Sequence, residues 1–162
     1  TPWRFGGQLA IAIRRLKFGR HGHVARALAP LWAPLVAAVA TDAMIVPIPL
    51  HWRRRLVRGF DHSWLLARHA CAIAGLAPPI PALRRVRATP PQTSLPADAR
   101  RENVRHAFVV DRRAAITGRA IILIDDVVTT GATLAAAAHA LLEAGATCVT
   151  GVAIARATSA PG

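Results

Sequence analysis

The sequence predicts an α/β domain with a twisted, mainly parallel sheet flanked by helices. Three observations predict it. Short apolar runs alternate with stretches of helical spacing along the chain, the order of a βαβ fold rather than of a sandwich or a bundle. The apolar run Ala120–Asp125 (AIILID), a turn, the helical stretch Thr130–Ala144 and the run Val149–Ile154 form one βαβ unit on their own. The chain has 162 residues, 53% of them hydrophobic, which suits one domain with a sizeable core.

Each element follows from local pattern. Leu9, Ile13 and Leu16 recur at helical spacing, so a helix runs over about Gln8–Phe18 and breaks at Gly19–Gly22. Val24–Ala40 reads as an Ala-rich helical region interrupted at Pro30 and Pro34. Ala43–Ile48 (AMIVPI), apolar between turn signals, is a buried strand, and 49–59 (PLHWRRRLVRG) is a loop. His62–Ala74 carries Leu65, Leu66, His69, Ala70 and Ile73 near one face and stops at Gly75 and Pro78. Leu83–Val86 and Ala107–Val110 are short strands. Between them Pro90, Pro91 and Pro96 keep 88–97 irregular, and 98–103 has room for one helical turn. Gly145 stops the helix that begins near Thr130.

Charge narrows the partners. There are 21 basic residues against 8 acidic, a formal net charge of +13. Lys17 is the only lysine; the rest are arginines, which grip phosphate and carboxylate as a planar fork. The balance points to an anionic partner and excludes an acidic solvating protein. The excess sits early and centrally: residues 1–52 are net +5, residues 53–105 net +8 and residues 106–162 neutral. Cys71 and Cys148 are the only cysteines, which excludes a disulfide-rich miniprotein and a cysteine-based zinc site within this chain. The apolar, uncharged stretch Ala27–Thr41 has 15 residues and two prolines, short of the ~18–20 apolar residues of a membrane span. With no signal-peptide pattern, the expectation is a cytoplasmic, soluble protein.

Residues 121–134 (IILIDDVVTTGATL) carry the chemistry. A buried strand ends in adjacent carboxylates, Asp125 and Asp126. A Thr-Gly turn (Thr129, Thr130, Gly131, Thr133) then leads into a helix. Ligands of open α/β sheets bind at the carboxyl ends of the strands. The turn offers backbone N–H groups and hydroxyls to an anion, and a helix N-terminus adds roughly 0.3–1 kcal/mol. Carboxylates, by contrast, suit hydroxyl donors or a metal. A ligand with a phosphate at one end and a diol nearby, a ribose 5-phosphate, satisfies both. The plainer alternative is that Thr129 or Thr130 only caps the helix.

This segment resembles the phosphoribosyl-pyrophosphate-binding motif of type I phosphoribosyltransferases. Further stretches narrow the match to the ComF competence-protein family. VPIPLHWRRRLVRGFDHSWLLA (46–67) is similar to that family's VPxPLHxxRxxxRGFNQxxxLA, and QTSLPADARRENVRHAF (92–108) to its QTxLxxxxRxxNVxxAF. Leu16-Lys17-Phe18-Gly19 is similar to its LKFxG. There are two departures. The four-cysteine zinc module that the family often carries is absent, so no zinc is carried over. Asp61 and His62 stand where the family has Asn and Gln; Asp61 still suits the cap of the following helix.

The resemblance implies displacement of pyrophosphate from carbon 1 of phosphoribosyl pyrophosphate, with Mg²⁺. Asp125 and Asp126 would hold the ribose hydroxyls and the Mg²⁺ shell, directly or through water. Thr129, Thr130, Gly131 and Thr133, with the backbone of Val128 and Ala132, would cradle the 5-phosphate. Arg58 and Gly59 would lie near the pyrophosphate, a solvated turn being the other reading. The Pro-rich segment 88–98, flanked by Arg84, Arg85, Arg87, Arg100, Arg101 and Arg105, fits a loop closing over the site, with Arg100 and Arg101 as its catalytic candidates. His51, His62 and His106 lie near the site, where one could act as general base, ordinary polar positions being the alternative. Trp32, Trp52, Trp64 and Phe60 read as core. The family's hood, which selects the acceptor, would come from residues 1–42, beside a core of 43–156 and a frayed tail, 157–162.

Partners follow. The first is a small-molecule phosphoribosyl substrate. The alternative is a catalytically degenerate nucleic-acid-binding protein acting in DNA uptake. Trp52, Phe60 and Trp64 interleave with Arg53, Arg54, Arg55 and Arg58, the make-up of a groove for single-stranded DNA. Association with a second copy stays open.

Overall fold

The computed structural model describes residues 3–4, 6–18, 22–39, 42–87, 106–112 and 114–157. Four strands form one parallel sheet: β1 (Trp3–Arg4), β2 (Met44–Pro47), β5 (Ala120–Val128) and β6 (Cys148–Arg156), in the order β1-β6-β5-β2. Met44 pairs with Ile121 and Pro47 with Ile124, while Ala120 pairs with Cys148 and Val128 with Arg156. Strands β3 (Leu83–Arg85) and β4 (Phe108–Val110) make a separate antiparallel pair. The helices are α1 (Gly7–Phe18), α2 (His23–Ala37), α3 (Trp52–Arg58), α4 (His62–Ala74) and α5 (Ala132–Glu143). The predicted α/β architecture and its βαβ unit are present.

Strand β5 explains the layering. Its side chains alternate between faces. Ile122 and Ile124 join Ile13, Leu16, Trp32, Val36 and Leu66 in a cluster with α1, α2 and α4. Ile121 and Leu123 join Val46, Leu83, Phe108, Ala137 and Leu141 on the side of α5 and the β3–β4 pair. A strand covered on both faces reads as an unbroken apolar run, which is why AIILI was so legible. Each fully buried Leu or Ile contributes about 1.5–3 kcal/mol by area removed from water.

Four expectations change. The 49–59 stretch is not all loop, because Trp52–Arg58 is helical. The His51 ring accepts the Arg53 N–H at its start, and Gly59, at φ 80°, ends it with its N–H on the Arg55 carbonyl. No residue of α3 is buried, so the segment shows no apolar stripe. Helix α2 runs through Pro30 and Pro34. Both prolines lie on its exposed face, where the carbonyls they free meet water, while Trp32, Ala33 and Val36 hold the opposite face in the core. Strand β5 continues past the acid pair to Val128, held by pairing of Val127 and Val128 with β6. Helix α5 begins at Ala132 rather than Thr130. The first strand, Trp3–Arg4, paired with Ala155 and Arg156, was not anticipated.

Candidate functional site

The acid pair sits near the carboxyl end of the central strand. Asp126 lies on the face of Ile122 and Ile124, toward α1 and α4, and it is 2% exposed. Its Oδ2 meets Lys17 Nζ at 2.8 Å and His62 Nε2 at 3.2 Å. Its Oδ1 accepts the Val127 N–H at 2.7 Å, and its own N–H donates to Asp125 Oδ1 at 2.9 Å. Both carboxylates open into one cavity of about 160 Å³, lined also by Lys17, Arg54, Arg58, His62, Arg85 and Thr133.

Electrostatics separate the two acids. Burial alone would raise Asp126, but the Lys17 ammonium, and then His62 by charge and hydrogen bond, hold it well below the usual carboxylate range. Burial, and then the charge of Asp126, push Asp125 up to about 6, with Lys17 partly opposing. One acid is therefore held ionised, and the other titrates in the mildly acidic range, well above an ordinary carboxylate.

The cations meet from three elements. Arg54 and Arg58 come from α3, Arg85 from the end of β3 and Lys17 from α1. Desolvation, then Arg54, lowers the pKa of both Arg58 and Arg85, the signature of like charges crowded into a half-buried space. Arg58 Nη1 lies 3.4 Å from His62 Nδ1 and its guanidinium stacks 5.0 Å from the Phe18 ring centroid. His62 thus lies between the two groups, its Nε2 edge at Asp126 and its Nδ1 edge at Arg58.

The Thr-Gly turn borders this space. Gly131 has φ 81°, a left-handed conformation, and a Cβ there would point into open space. No side chain caps α5 at its N-cap position, Gly131. The Thr130 hydroxyl is a weak partner for the Ala132 N–H at 3.4 Å, and Thr129 and Thr130 are exposed. The start of α5 thus brings the positive end of its dipole to this turn, behind an open glycine.

Of the predicted residues, Asp125, Asp126, Arg58 and Thr133 line the cavity. Val128 ends β5, Thr129, Thr130 and Gly131 form the turn after it, and Ala132 opens α5 beside Thr133. Gly59 lines a neighbouring cleft of about 620 Å³ with Phe60, Asp61 and Trp64, which meets the cavity at Pro49. Arg100 and Arg101, Arg105 and the Pro-rich segment 88–98 lie outside the described residues. Asp61 caps α4 through Ser63 and Trp64 N–H at 3.1 and 3.3 Å, and also accepts the Leu50 N–H at 2.9 Å. His51 is the buried cap of α3, and His106 is exposed and does not line the cavity. Trp32 is core, whereas Trp52 is 56% exposed, contrary to expectation.

Two contributors escaped sequence reasoning: Lys17 and Arg54. Lys17 carried two signals, being the single lysine among 21 basic residues and part of the family-like stretch Leu16-Lys17-Phe18-Gly19. As for a divalent cation, the paired carboxylates are hard oxygen donors and fit Mg²⁺ in kind. Both Asp126 oxygens are already engaged, one of them by an ammonium.

Comparison with known proteins finds a family model and several relatives. The phosphoribosyl transferase domain model matches residues 84–161. The chain is 37% identical over 147 residues to the DNA utilization protein YhgH of Salmonella typhimurium, covering 87% of this chain and 64% of that protein. It is 34% identical over 161 residues to YhgH of Escherichia coli K12, covering 91% and 70%. It is 31% identical over 133 residues to competence protein F of Haemophilus influenzae, covering 78% and 58%. The chain thus spans about two thirds of the length of the curated relatives it matches. Among the described residues no helix is long and apolar enough to cross a membrane. With the acid pair, the Thr-Gly turn and the parallel sheet in place, the chain belongs to the ComF family of the type I phosphoribosyltransferase superfamily.

Proposed function

We propose that the chain binds phosphoribosyl pyrophosphate with Mg²⁺ and transfers the phosphoribosyl group to an acceptor, releasing pyrophosphate. One observation carries this reading: an acid pair and four cationic side chains line one cavity at the carboxyl edge of a parallel sheet, beside an uncapped helix start. Each part of the ligand has a complementary partner. The 5-phosphate would lie over the 129–133 turn and the ribose hydroxyls against Asp125 and Asp126. The diphosphate would face Arg54, Arg58 and Arg85.

In the reaction the bond from carbon 1 to the diphosphate oxygen breaks, its electron pair leaving with pyrophosphate, and the acceptor bonds to carbon 1. Negative charge grows on the leaving group, where the guanidiniums stabilise it without rearranging. Asp126, held ionised, faces the developing positive charge on the ribose ring. Mg²⁺, held at Asp125 and Asp126 directly or through water, would supply charge neutralisation of the diphosphate. Arg100 and Arg101, which the resemblance makes catalytic candidates, would add positive charge for the diphosphate.

The test is calorimetric titration with phosphoribosyl pyrophosphate and Mg²⁺, beside an Asp125→Asn/Asp126→Asn variant. Saturable binding that the variant loses supports the reading. No binding to the folded protein at millimolar ligand removes it.

A second reading has its own observation. Helix α3 buries no residue and displays Trp52, Leu56 and Val57, at 56%, 72% and 74% exposure, among Arg53, Arg54 and Arg55. Arg53 stacks 5.3 Å from the Trp52 ring centroid. Exposed aromatic surface amid guanidiniums suits single-stranded nucleic acid, and relatives carry the names DNA utilization protein and competence protein. Binding of a single-stranded oligonucleotide that falls steeply with salt would support this reading.

A further inference from the structure

We propose that Lys17 is a displaceable counter-ion: in the ligand-free protein its ammonium holds the position at Asp126 that a divalent cation takes when a diphosphate substrate binds, and it then moves onto the diphosphate. This rests on the phosphoribosyl pyrophosphate reading above and assigns a role to a residue of the first helix.

The geometry supplies the resting state. Lys17 Nζ is 2.8 Å from Asp126 Oδ2, and the Asp126 side chain is 3% exposed. Two adjacent carboxylates at the edge of a core need a positive charge nearby, and in the free protein the ammonium provides it. Arg54, Arg58 and Arg85 line the same cavity and repel that ammonium, so without an anion the carboxylate is its favoured place.

Three features let it leave. The Lys17 side chain is 25% exposed, and its unbranched four-carbon stem ends in a rotatable point charge rather than a rigid fork. His62 Nε2 stays on the same oxygen at 3.2 Å, so Asp126 is not stripped when the ammonium goes. The cavity that would receive the ammonium is the one the diphosphate would enter, because Lys17 and the three arginines share its lining.

Metal and diphosphate then bind cooperatively. A divalent cation alone must evict an ammonium into a cationic cavity. A diphosphate alone meets the arginines while Lys17 remains with Asp126. Together they satisfy one another, and Lys17 joins the anion. The chain's single lysine therefore stands at the one cationic position where a movable point charge is needed.

The test measures Mn²⁺ binding by electron paramagnetic resonance, with and without inorganic pyrophosphate, in wild type, Lys17→Met and Lys17→Arg. Lys17→Met keeps the apolar stem and removes the like charge, so Mn²⁺ alone binds at least about tenfold tighter. The gain in Mn²⁺ affinity on adding pyrophosphate shrinks by a similar factor. Lys17→Arg, which grips the carboxylate as a fork, binds Mn²⁺ more weakly than wild type and keeps the test available if Lys17→Met does not fold. Unchanged Mn²⁺ affinity in either folded variant overturns the proposal. The phosphoribosyl reading survives that result as long as the wild type binds phosphoribosyl pyrophosphate. If the wild type binds neither that ligand nor pyrophosphate, both fall.

Discussion

Lys17, near the end of the first helix, and Asp126, in the central strand, form a 2.8 Å ion pair across the packed face of the sheet. The pair ties the N-terminal helix to the strand that carries the acid pair, and it keeps the deeper carboxylate ionised. Removing the carboxylate leaves a partly buried ammonium with Asp125 alone as its acidic neighbour in the cavity. Asp126→Asn should cost about 2–3 kcal/mol of stability, below the range for fully buried pairs because Lys17 reaches some water. Denaturant unfolding checks this, and an unchanged midpoint would show that the pair contributes nothing net.

Asp125 behaves in the opposite sense. Its folded-state pKa, raised to about 6 from an ordinary 3.8, means that the folded protein binds this proton more tightly than the unfolded chain. The resulting stabilisation is complete below the unfolded value and is lost as pH rises through about 6. Asp125→Asn escapes that loss. We expect the variant to melt about 3–6 °C above wild type at pH 7.5, with the gap closing toward pH 4. A pH-independent difference would contradict the assignment. The same variant should bind phosphoribosyl pyrophosphate poorly, so stability and function diverge at one carboxyl.

Gly131 is left-handed at φ 81°, with open space where a Cβ would stand. Gly131→Ala therefore meets no clash in the free protein and suffers only the backbone penalty, about 1–2 kcal/mol. A ligand phosphate drawn onto the turn would meet the new methyl. Calorimetry should show affinity for phosphoribosyl pyrophosphate falling well beyond the modest drop in melting temperature. Equal binding by the folded variant would place the 5-phosphate elsewhere.

Asp61 does two structural jobs from one side chain, capping α4 and anchoring the Leu50 N–H beside the cavity. Asp61→Ala should cost about 1–2 kcal/mol, and Asp61→Asn, the residue of the family pattern, should restore the cap alone, because its amide nitrogen cannot accept the Leu50 N–H. Thermal melts of the two variants decide this. Full rescue by Asn would show that the Leu50 N–H contact contributes nothing net.

Helix α3 permits a test of the nucleic-acid reading that leaves the acid pair untouched. Trp52→Ala removes a 56% exposed ring with little packing to lose, so stability should shift by less than about 0.5 kcal/mol. Oligonucleotide affinity, if α3 is the platform, should fall by the worth of a stacked base, about 1–3 kcal/mol. Fluorescence titration at two salt concentrations separates this loss from the electrostatic part.

Sequence alone determined the parts whose signal is local. The unbroken run AIILI requires cover on both faces, and so it announced a central parallel strand. The carboxylates and Thr-Gly turn that follow it were legible as one cluster, because a strand end, a glycine and a helix start are adjacent in the chain. Asp61 before His62–Ala74 was legible as a cap for the same reason. Helix α3 was hidden because a helix that buries nothing has no apolar period to read. The continuity of α2 was hidden because its packing on the core, not local propensity, overrides two prolines. Tertiary structure alone decided which cations meet the acid pair. Lys17, Arg54 and Arg85 come from three separate elements, and only the crossing of α1, α3 and β3 at the sheet edge brings them to one cavity. Charge acts through space, over a few ångströms, whereas sequence pattern records only neighbours along the chain. The acids could therefore be found in the sequence, and their counter-charges only in the fold.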